Sequence, residues 1–316
     1  MSIRKKFISY VSPLAAVLPL DLLCRATGHN FIIPFYHIVS DEKCPHVENL
    51  YQFKNTKEFE RDIDYLAKKY QPIGSDDLND VFAGKYKRKK TMLLTFDDGL
   101  RQIYDVVAPL LLRKGIPAIF FLNTDFIDNR GLMYRYKASL IQSWGMGNAQ
   151  TLKASSGKEL MEMIDPALAG RLDEFLADYK PYMTTDQIRA LISQGFVIGA
   201  HSCSHPHYKN LSLEDQLAQT IDSVEILHRD FGIEQKLFAF PFTDEEVSRR
   251  FFDTIFDGGK VDFSFGGAGI KNDVHPRQFQ RIPMEGWNAS AEQILKSEYL
   301  YYLLRAIFFR NNIKRE

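Results

Sequence analysis

The stretch Met92-Leu93-Leu94-Thr95-Phe96-Asp97-Asp98-Gly99 indicates both the kind of sheet and the chemistry at its end. Its first five residues predict a buried strand that runs directly into two adjacent carboxylates, Asp97 and Asp98. Adjacent side chains leave a strand in different directions, so one aspartate can bind a metal ion while the other acts as a base. Two carboxylates in an apolar place repel each other unless a positive charge lies nearby, and a metal ion is the simplest candidate. Asp and Gly also form ordinary turns, so a purely structural interpretation stays open for this motif alone.

A second motif, His-Ser-Cys-Ser-His-Pro-His over residues 201–207, follows another predicted strand, Phe196–Ala200. His201 and His205 are four residues apart, and this spacing lets both bind one metal from the same side of a helical turn. A lone histidine is more often structural, but two at a strand end favour a metal. Cys203 is an alternative soft ligand, although its position favours a space-filling role on the opposite side of the turn.

The two motifs together predict a catalytic centre. Asp98, His201 and His205 form a set of one oxygen and two nitrogen ligands that leaves a position for water, as catalytic zinc sites do. Asp97 is then placed to take a proton from that water. The ligand set predicts one divalent ion, zinc first, with cobalt, nickel and manganese as alternatives.

Short apolar runs alternate with helical patterns along the chain, which predicts a parallel α/β arrangement. Gly115, Gly195 and Gly232 are predicted to end helices, and Thr184 and Gln187 to form a capping box. The length of 316 residues suits either two domains or one α/β barrel. Seven strands with crossover helices come close to a barrel with one unit missing. The predicted strands are Phe31–Tyr36, Met92–Phe96, Ala118–Leu122, Phe196–Ala200, Leu237–Phe240, Asp262–Phe265 and Phe279–Ile282.

Composition excludes several classes of protein. Hydrophobic residues make up 45% and charged residues 25%, which excludes a disordered chain and a membrane protein with many spans. Forty basic residues balance forty acidic ones, so no global basic field favours nucleic acid as a partner. Three cysteines are too few and too scattered for a disulfide framework.

Residues 1–30 form a predicted N-terminal apolar segment. Three basic residues precede an apolar run over Phe7–Cys24, as in a signal peptide, but two prolines and Asp21 interrupt it. We therefore expect a packed or interfacial helix rather than a cleaved signal, and a cytoplasmic or membrane-adjacent protein rather than a secreted one.

Residues 291–316 are predicted to add a C-terminal helix over Ala291–Arg310, rich in aliphatic and aromatic residues. Packing on the domain is the preferred interpretation, because aromatic stripes of this kind usually belong to a core. The alternative is peripheral membrane contact through a basic and aromatic surface formed by the terminal helices.

The central domain is predicted to span residues 31–290. Within it, residues from about 129 to 182 interrupt the alternation and predict a partly helical insertion beside the barrel mouth. Such an insertion either shapes access of the substrate or has no chemical role.

The phrases over Leu94–Gly99 and Ile198–Pro206 resemble the polysaccharide deacetylase family, carbohydrate esterase family 4, and the resemblance extends over about Phe31 to Pro283. It implies an α/β fold of the distorted (β/α)7 barrel type and a divalent metal, usually zinc. It also implies hydrolysis of N- or O-acetyl groups on sugars. Asp97 would then be the general base, and Asp98, His201 and His205 the metal ligands.

The third motif of that family has an arginine shortly before a Pro-Tyr pair, whereas this chain has Phe238-Ala239-Phe240-Pro241-Phe242. The resemblance implies that Pro241 and Phe242 contact the substrate, with the Phe242 N–H holding the oxyanion. Ala239 lies where the arginine is expected. We therefore expect Asp97 to lack the guanidinium that would orient it and tune its basicity.

The last motif of the family supplies a histidine as general acid, but the matching segment here is Arg-Ile-Pro-Met over 281–284. The Tyr-His pair that ends at His37 resembles the poly-N-acetylglucosamine deacetylase branch, where a histidine after an early strand takes this role. We therefore favour His37 over His207, His275 and Glu285 as the general acid. A supporting histidine that transfers no proton is the alternative for His37.

The predicted function is a metal-dependent hydrolase that removes N- or O-acetyl groups from a polysaccharide or a glycan precursor. Ala239 and the missing final histidine leave a non-catalytic carbohydrate-binding protein as one alternative. A metal-dependent hydrolase of a non-sugar amide is the other, because chemistry at the metal does not name the substrate.

Overall fold

The computed structural model describes residues 3–15, 17–86, 89–147, 150–153, 156–162, 166–308 and 311–316. Its centre is a sheet of short parallel strands in the order β7-β6-β5-β4-β3-β2-β1-β8. The strands are β1 Pro34–Tyr36, β2 Leu94–Phe96, β3 Ala118–Leu122, β4 Val197–Ala200, β5 Leu237–Ala239, β6 Phe263–Gly266, β7 Gln278–Gln280 and β8 Ile282–Pro283.

The sheet curls into a nearly closed barrel, and the closure depends on one residue. Strands β7 and β8 are consecutive in the chain, separated only by Arg281, yet they lie at opposite ends of the strand order. Strand β7 pairs with β6, whereas β8 pairs with β1. The predicted barrel is confirmed, and the predicted strand Phe279–Ile282 is two strands that join the ends of the sheet.

Two small sheets accompany the barrel. Thr91–Met92 lies between Phe31–Ile32 and Gln71–Pro72 in a parallel sheet of three strands. Asn272–Asp273 pairs with Asn312–Ile313, which ties the end of the described chain to the barrel.

Helices surround the barrel, and their ends follow the predicted signals. Thr184 and Gln187 form the predicted capping box, and Gly115 and Gly232 end their helices with left-handed backbones. The helices are α1 Ile3–Ala15, α2 Leu20–Thr27, α3 Thr56–Lys69, α4 Leu78–Phe82, α5 Ala108–Lys114, α6 Tyr134–Ser143, α7 Gly157–Glu162, α8 Pro166–Tyr179, α9 Thr185–Ser193, α10 Leu213–Phe231, α11 Arg249–Asp257 and α12 Ala291–Ala306. Shorter helical turns cover Ser75–Asp77, Ile103–Val107, Thr124–Asn129, Thr151–Lys153 and Tyr208–Asn210.

Alternation along the strands divides the core into two layers. Phe120 of β3 faces the surrounding helices and packs with residues such as Phe96, while its neighbour Phe121 faces the barrel interior with Leu237 and Phe265. Gly199 lies against the Phe121 ring, where a Cβ atom would come within 2.5 Å of a ring carbon. A glycine is therefore needed on β4 for the interior to close.

The terminal helices pack on the barrel and on one another. Helices α1 and α2 both contact α12, and Ile8, Leu23 and Tyr299 belong to the main hydrophobic core. Helix α12 ends at Ala306, four residues before the predicted end, and residues 309–310 of that prediction lie outside the described residues. None of the described helices combines the length and the apolar character needed to span a bilayer.

The predicted insertion, residues 129–182, contains helices α6, α7 and α8. Residues 148–149, 154–155 and 163–165, among them Ser155, lie outside the described residues. Tyr136 and Leu140 of α6 pack with Ile38 and Val47 from the loop after β1, in a hydrophobic cluster separate from the main core. This cluster places α6 beside the carboxyl ends of the barrel strands.

Candidate active site

Asp97 and Asp98 lie at the carboxyl end of β2, and both side chains are buried. The Asp97 N–H donates a hydrogen bond of 3.0 Å to the Tyr36 carbonyl oxygen at the end of neighbouring β1. Asp98 then adopts a left-handed backbone with φ of 71°, which is uncommon for a residue other than glycine. The turn separates the two carboxylates, as the sequence predicts.

His201 and His205 approach Asp98 from the loop after β4. Their Nε2 atoms lie 3.4 and 3.2 Å from the Oδ1 atom of Asp98. The Nδ1–H of His201 donates to the Ala239 carbonyl oxygen at 2.8 Å, which directs Nε2 towards the carboxylate. His205 also has a left-handed backbone, with φ of 59°, and its N–H donates to the Ser202 hydroxyl at 3.0 Å.

These three side chains fit a divalent ion. Their ligand atoms all lie within 4.8 Å of one another, and the Asp98 Oδ1 atom is buried without a hydrogen-bond partner. Burial by itself raises the pKa of Asp98, but the His205 charge and the close polar contacts with His201 and His205 bring it well below the ordinary value. An ionised carboxylate with two imidazoles is a donor set suited to zinc, cobalt, nickel or manganese.

Arg281 corrects the expectation that Asp97 lacks a guanidinium. Its Nη1 and Nη2 atoms donate to the two carboxylate oxygens of Asp97 at 2.6 and 2.7 Å, and both side chains are buried. The remaining Nε–H donates to the Gly266 carbonyl oxygen at 3.1 Å, and the guanidinium lies 4.4 Å from the centre of the Phe35 ring. The prediction was wrong because it considered only the position of Ala239 along the chain, whereas barrel closure brings Arg281 to the same place.

The ion pair keeps Asp97 in its charged form. Burial would raise the pKa of this carboxyl, but the Arg281 charge and, after it, the His201 charge lower the pKa below its ordinary value. A bidentate guanidinium also fixes the orientation of the carboxylate. Asp97 is therefore ionised at neutral pH, with its plane set by Arg281.

His37 faces the same cavity from the end of β1 and pairs with Glu285. The His37 Nδ1 atom lies 2.8 Å from Oε2 of Glu285, whose two oxygens also accept the backbone N–H groups of His37 and Ile38 at 2.9 and 3.1 Å. Burial acts to lower the pKa of His37, but the Glu285 hydrogen bond and the Asp98 charge raise it to about 9. Glu285, an alternative acid in the sequence, thus holds His37.

Phe242 lies opposite His37 and takes a left-handed backbone with φ of 55°. Its exposed ring stacks on His207 at 3.8 Å between ring centres and meets His205 edge-on at 4.5 Å. The Phe242 N–H donates to no acceptor in the described part of the chain. Pro241 has no N–H, so its contribution here is to hold the turn that presents the Phe242 amide.

Tyr136 is a site residue that the sequence analysis missed. It comes from α6 of the insertion, and its buried hydroxyl donates to Oδ2 of Asp98 at 2.5 Å. The insertion therefore reaches the ligand set itself. A tyrosine in an amphipathic helix more than thirty residues after the aspartates carries no sequence signal for this contact.

The other candidates lie away from the ligand set. His275 stacks on Phe256 at 4.4 Å in a different part of the barrel. His207 lies behind Phe242, and burial with the His205 charge lowers its pKa to about 4. The Cys203 Sγ atom lies against the Gln219 carbonyl oxygen, and all three cysteines are free.

The residues described above enclose a cavity of about 270 Å³ at the carboxyl ends of the strands. Its floor holds the carboxylate, imidazole and guanidinium groups, and its walls are mostly aromatic. Chemically the cavity offers a divalent-ion site beside a separate ionised carboxylate, an imidazole and a free backbone N–H. The wall side chains are Phe35, Leu50, Tyr51, Met133, Arg135, Phe240 and Phe242.

Residues 84–251 match the family model described as polysaccharide deacetylase, and this match covers more than half of the chain and both motifs. The chain belongs to the polysaccharide deacetylase family. It is therefore a carbohydrate deacetylase, a hydrolase whose substrate is an acetylated carbohydrate. No curated protein matches the chain in sequence.

Solved structures share the fold at low sequence identity. The Streptococcus pyogenes deacetylase PplD in complex with acetate has a TM-score of 0.58 at 15% identity, over 85% of this chain and 97% of that chain. IcaB from Ammonifex degensii has a TM-score of 0.56 at 16% identity, over 85% and 96% of the two chains. A de-N-acetylase from Aggregatibacter actinomycetemcomitans has a TM-score of 0.53 at 16% identity, over 83% of this chain and 95% of that chain.

Proposed function

We propose that this deacetylase depends on a divalent ion, zinc first, bound by Asp98, His201 and His205. We also propose that it cuts N- or O-acetyl groups from a cell-surface polysaccharide or its precursor. The observation that carries the proposal is the buried Asp98 Oδ1 atom. It has no hydrogen-bond partner and lies 3.2 to 3.4 Å from two imidazole nitrogens. Burial of a carboxylate oxygen without a partner costs free energy, and a bound cation would remove this cost.

A bound ion would polarise the acetyl carbonyl and lower the pKa of a coordinated water towards 7. Asp97 is the general base: it accepts a proton from the water whose oxygen attacks the acetyl carbon. Arg281 serves this step because it holds the carboxylate ionised and fixes its plane. Asp97 is not assigned to the ion, because the side chains whose ligand atoms converge are Asp98, His201 and His205.

Phe242 and Pro241 form the opposite side of the reaction centre. The unpaired Phe242 N–H donates to the acetyl oxygen as it gains negative charge, and such donors stabilise the tetrahedral state. Phe242 lines the cavity and has a left-handed backbone. The exposed ring adds an apolar surface for the sugar.

His37 supplies the proton that the leaving group needs. Its Nδ1–H is held by Glu285, so the other ring nitrogen, Nε2, is available to donate to the departing sugar nitrogen or oxygen. The carbon–nitrogen or carbon–oxygen bond then breaks, acetate carries the oxygen of the attacking water, and the sugar leaves with the proton of His37. The Glu285 hydrogen bond raises the pKa of His37, which favours the protonated form of the ring.

One geometric observation and the family match weigh against the two alternatives. Ala239 and the missing final histidine suggested a non-catalytic binding protein. In the folded chain, however, Arg281 places a guanidinium on Asp97, and His37 places an imidazole in the same cavity. Family membership favours a sugar over a non-sugar amide.

The test measures bound metal and acetate release on the same preparation. Purified chain should hold about one divalent ion, and should release acetate from N-acetylated oligosaccharides or O-acetylated sugars. A chelator should abolish release, and zinc, cobalt, nickel or manganese should restore it. Full activity in metal-free protein would disprove metal dependence, and metal without acetate from any acetylated sugar would disprove the deacetylase.

We further propose that the terminal helices rest on an anionic membrane surface, with the protein cytoplasmic or membrane-adjacent. Helices α1 and α12 run side by side in the same direction, because Arg4 pairs with Glu298 and Phe7 contacts Tyr301. Exposed apolar side chains lie on α1, on α2 and towards the carboxyl end of α12, and the charges of Lys69 and Arg25 both act on Asp21 of α2. The exposed apolar residues are Tyr10, Val17, Leu22, Leu304, Ile307 and Phe308.

Sedimentation with phosphatidylglycerol vesicles tests this proposal. Ile307→Glu should reduce the bound fraction at least threefold, whereas Leu112→Glu, a matched change on exposed α5, should not. Equal loss in both variants, or no binding by the unaltered chain, would contradict the membrane surface.

A further inference from the structure

Helix α6 carries two cations that line neighbouring cavities. Arg135 faces the catalytic cavity, next to Tyr136, which holds Asp98. Lys137, two residues further along, lines a second cavity of about 400 Å³ together with Tyr134 and His207. The same helical turn therefore presents one cation to each cavity.

The two cavities share a wall. The Phe242 ring, which lines the catalytic cavity, stacks at 3.8 Å on the His207 ring, which lines the second cavity. Tyr134 approaches Phe242 from the same side, with 6.3 Å between ring centres. A chain of sugars whose acetyl group enters the catalytic cavity can thus extend over this aromatic wall into the second cavity.

Neither cation forms an ion pair in the part of the chain that the structure describes, although Asp173 acts on one of them: burial lowers the pKa of Lys137, and the Asp173 charge acts to raise it. Arg135 and Lys137 are both half-buried, and neither forms an ion pair or a side-chain hydrogen bond with a described residue. Two ion pairs belong to the catalytic cavity: Arg281 pairs with Asp97, and His37 pairs with Glu285. Partial burial costs a cation solvation free energy when no counter-charge is paired with it, most clearly for Arg135, and a bound anionic group would compensate for this cost.

Arginine is suited to this task, because its planar guanidinium binds two oxygens of a carboxylate or phosphate at once. Lys137 adds a point charge, and Ser204 and Asn210 in the second cavity add neutral hydrogen-bonding groups. The pair would recognise oxyanions at two successive positions of a substrate.

We propose that the substrate is an acidic glycan, with Arg135 binding an oxyanion next to the acetylated sugar and Lys137 a second one along the chain. This inference rests on the proposed deacetylase function and names its substrate class. Carboxylates of uronic acids and phosphates on sugars present the same chemistry to these side chains.

Binding can be measured without turnover in an Asp97→Asn background. Calorimetry compares a neutral N-acetylglucosamine tetrasaccharide with two acidic ones of equal length: an alternating N-acetylglucosamine–glucuronic acid chain and a phosphorylated N-acetylglucosamine chain. We expect at least one acidic chain to bind tenfold or more tightly than the neutral one. Arg135→Gln and Lys137→Gln should each remove most of this preference, while Arg113→Gln, on exposed α5, should leave it unchanged.

If only one of the two acidic oligosaccharides binds tightly, it identifies the anion that the site recognises. Tight binding of both oligosaccharides supports recognition of the oxyanion that they share. Equal affinity for neutral and acidic chains, or a preference that survives Arg135→Gln, would overturn the proposal. Acetate release by the chain without these substitutions is assayed in parallel. Tight binding of acidic glycans without acetate release would contradict the deacetylase function but support an acidic ligand. Acetate release without a preference for acidic glycans would support the deacetylase function but contradict an acidic substrate.

Discussion

The guanidinium of Arg281 donates hydrogen bonds of 2.6 and 2.7 Å to the two carboxylate oxygens of Asp97, although the two residues are 184 positions apart in sequence. Arg281 is the residue at which the barrel closes, between β7 and β8. The same residue therefore completes the fold and orients the proposed base. A change at this position should affect stability and catalysis together.

Replacing Arg281 tests that link. Arg281→Gln leaves a buried carboxylate without its counter-charge, so we expect a loss of about 3–5 kcal/mol in the free energy of unfolding by urea. Arg281→Lys keeps the charge but not the bidentate contact, and should lose less stability while turnover still falls about tenfold or more. Arg113→Gln should change stability by no more than about 0.5 kcal/mol. Turnover in Arg281→Lys equal to that of the unaltered chain would contradict the orienting role.

The pH dependence of the same pair has a defined sign. The pKa of Asp97 in the folded chain is below its usual value of 3.8, so its ionisation contributes stability above pH 3.8. That contribution is lost as the pH falls through the folded value. Arg281→Gln should raise this pKa and move the acid unfolding transition to higher pH.

The two adjacent aspartates should separate metal binding from turnover. Asp97→Asn removes the base but not a ligand, so the variant should retain about one ion per chain and lose turnover by roughly 100-fold to 10,000-fold. Asp98→Asn is its matched counterpart and should lose the ion as well. Metal analysis and acetate release on both variants decide the assignment, and metal loss in Asp97→Asn would reverse it.

His37 should titrate at about pH 9 in the metal-free protein, as followed by NMR of its imidazole. Because the folded pKa lies above the usual 6.5, its protonation contributes stability that is complete below pH 6.5 and disappears as the pH rises through 9. Solvent screening limits this contribution to the order of 2 kcal/mol. Glu285→Gln removes the counter-charge and should bring the pKa of His37 down by more than one unit. An unchanged titration in that variant would show that Glu285 does not hold His37.

Tyr136→Phe should weaken metal binding without abolishing it. The hydroxyl holds Oδ2 of Asp98, and loss of such a supporting contact costs about 10-fold to 100-fold in metal affinity. Tyr134→Phe is the matched control, since the Tyr134 hydroxyl has no hydrogen-bond partner among the described residues. Titration of metal-free protein with zinc compares them, and equal affinities would remove Tyr136 from the site.

Local signals predicted the strands and the two motifs. The Asp97-Asp98 pair and the His201–His205 spacing each end a strand of apolar residues, and strand ends of a parallel barrel meet at one edge. The meeting of the two motifs could therefore be predicted from their positions after two predicted strands. Arg281, Glu285 and Tyr136 were not predicted as partners of the site, because each acts through a contact with a residue distant in sequence.

Residue order was enough to predict the parallel α/β barrel, the three candidate metal ligands and the residue beside them that can act as a base. It could do so because apolar periodicity and motif spacing are properties of neighbouring residues. The side chains that surround these residues are set by the packing of distant elements. Closure of the barrel at Arg281 supplies Asp97 with a guanidinium that Ala239 cannot provide. Packing of α6 against the loop after β1 brings Tyr136 and Arg135 into the cavity. These contacts depend on where separate elements pack, and no local pattern encodes that.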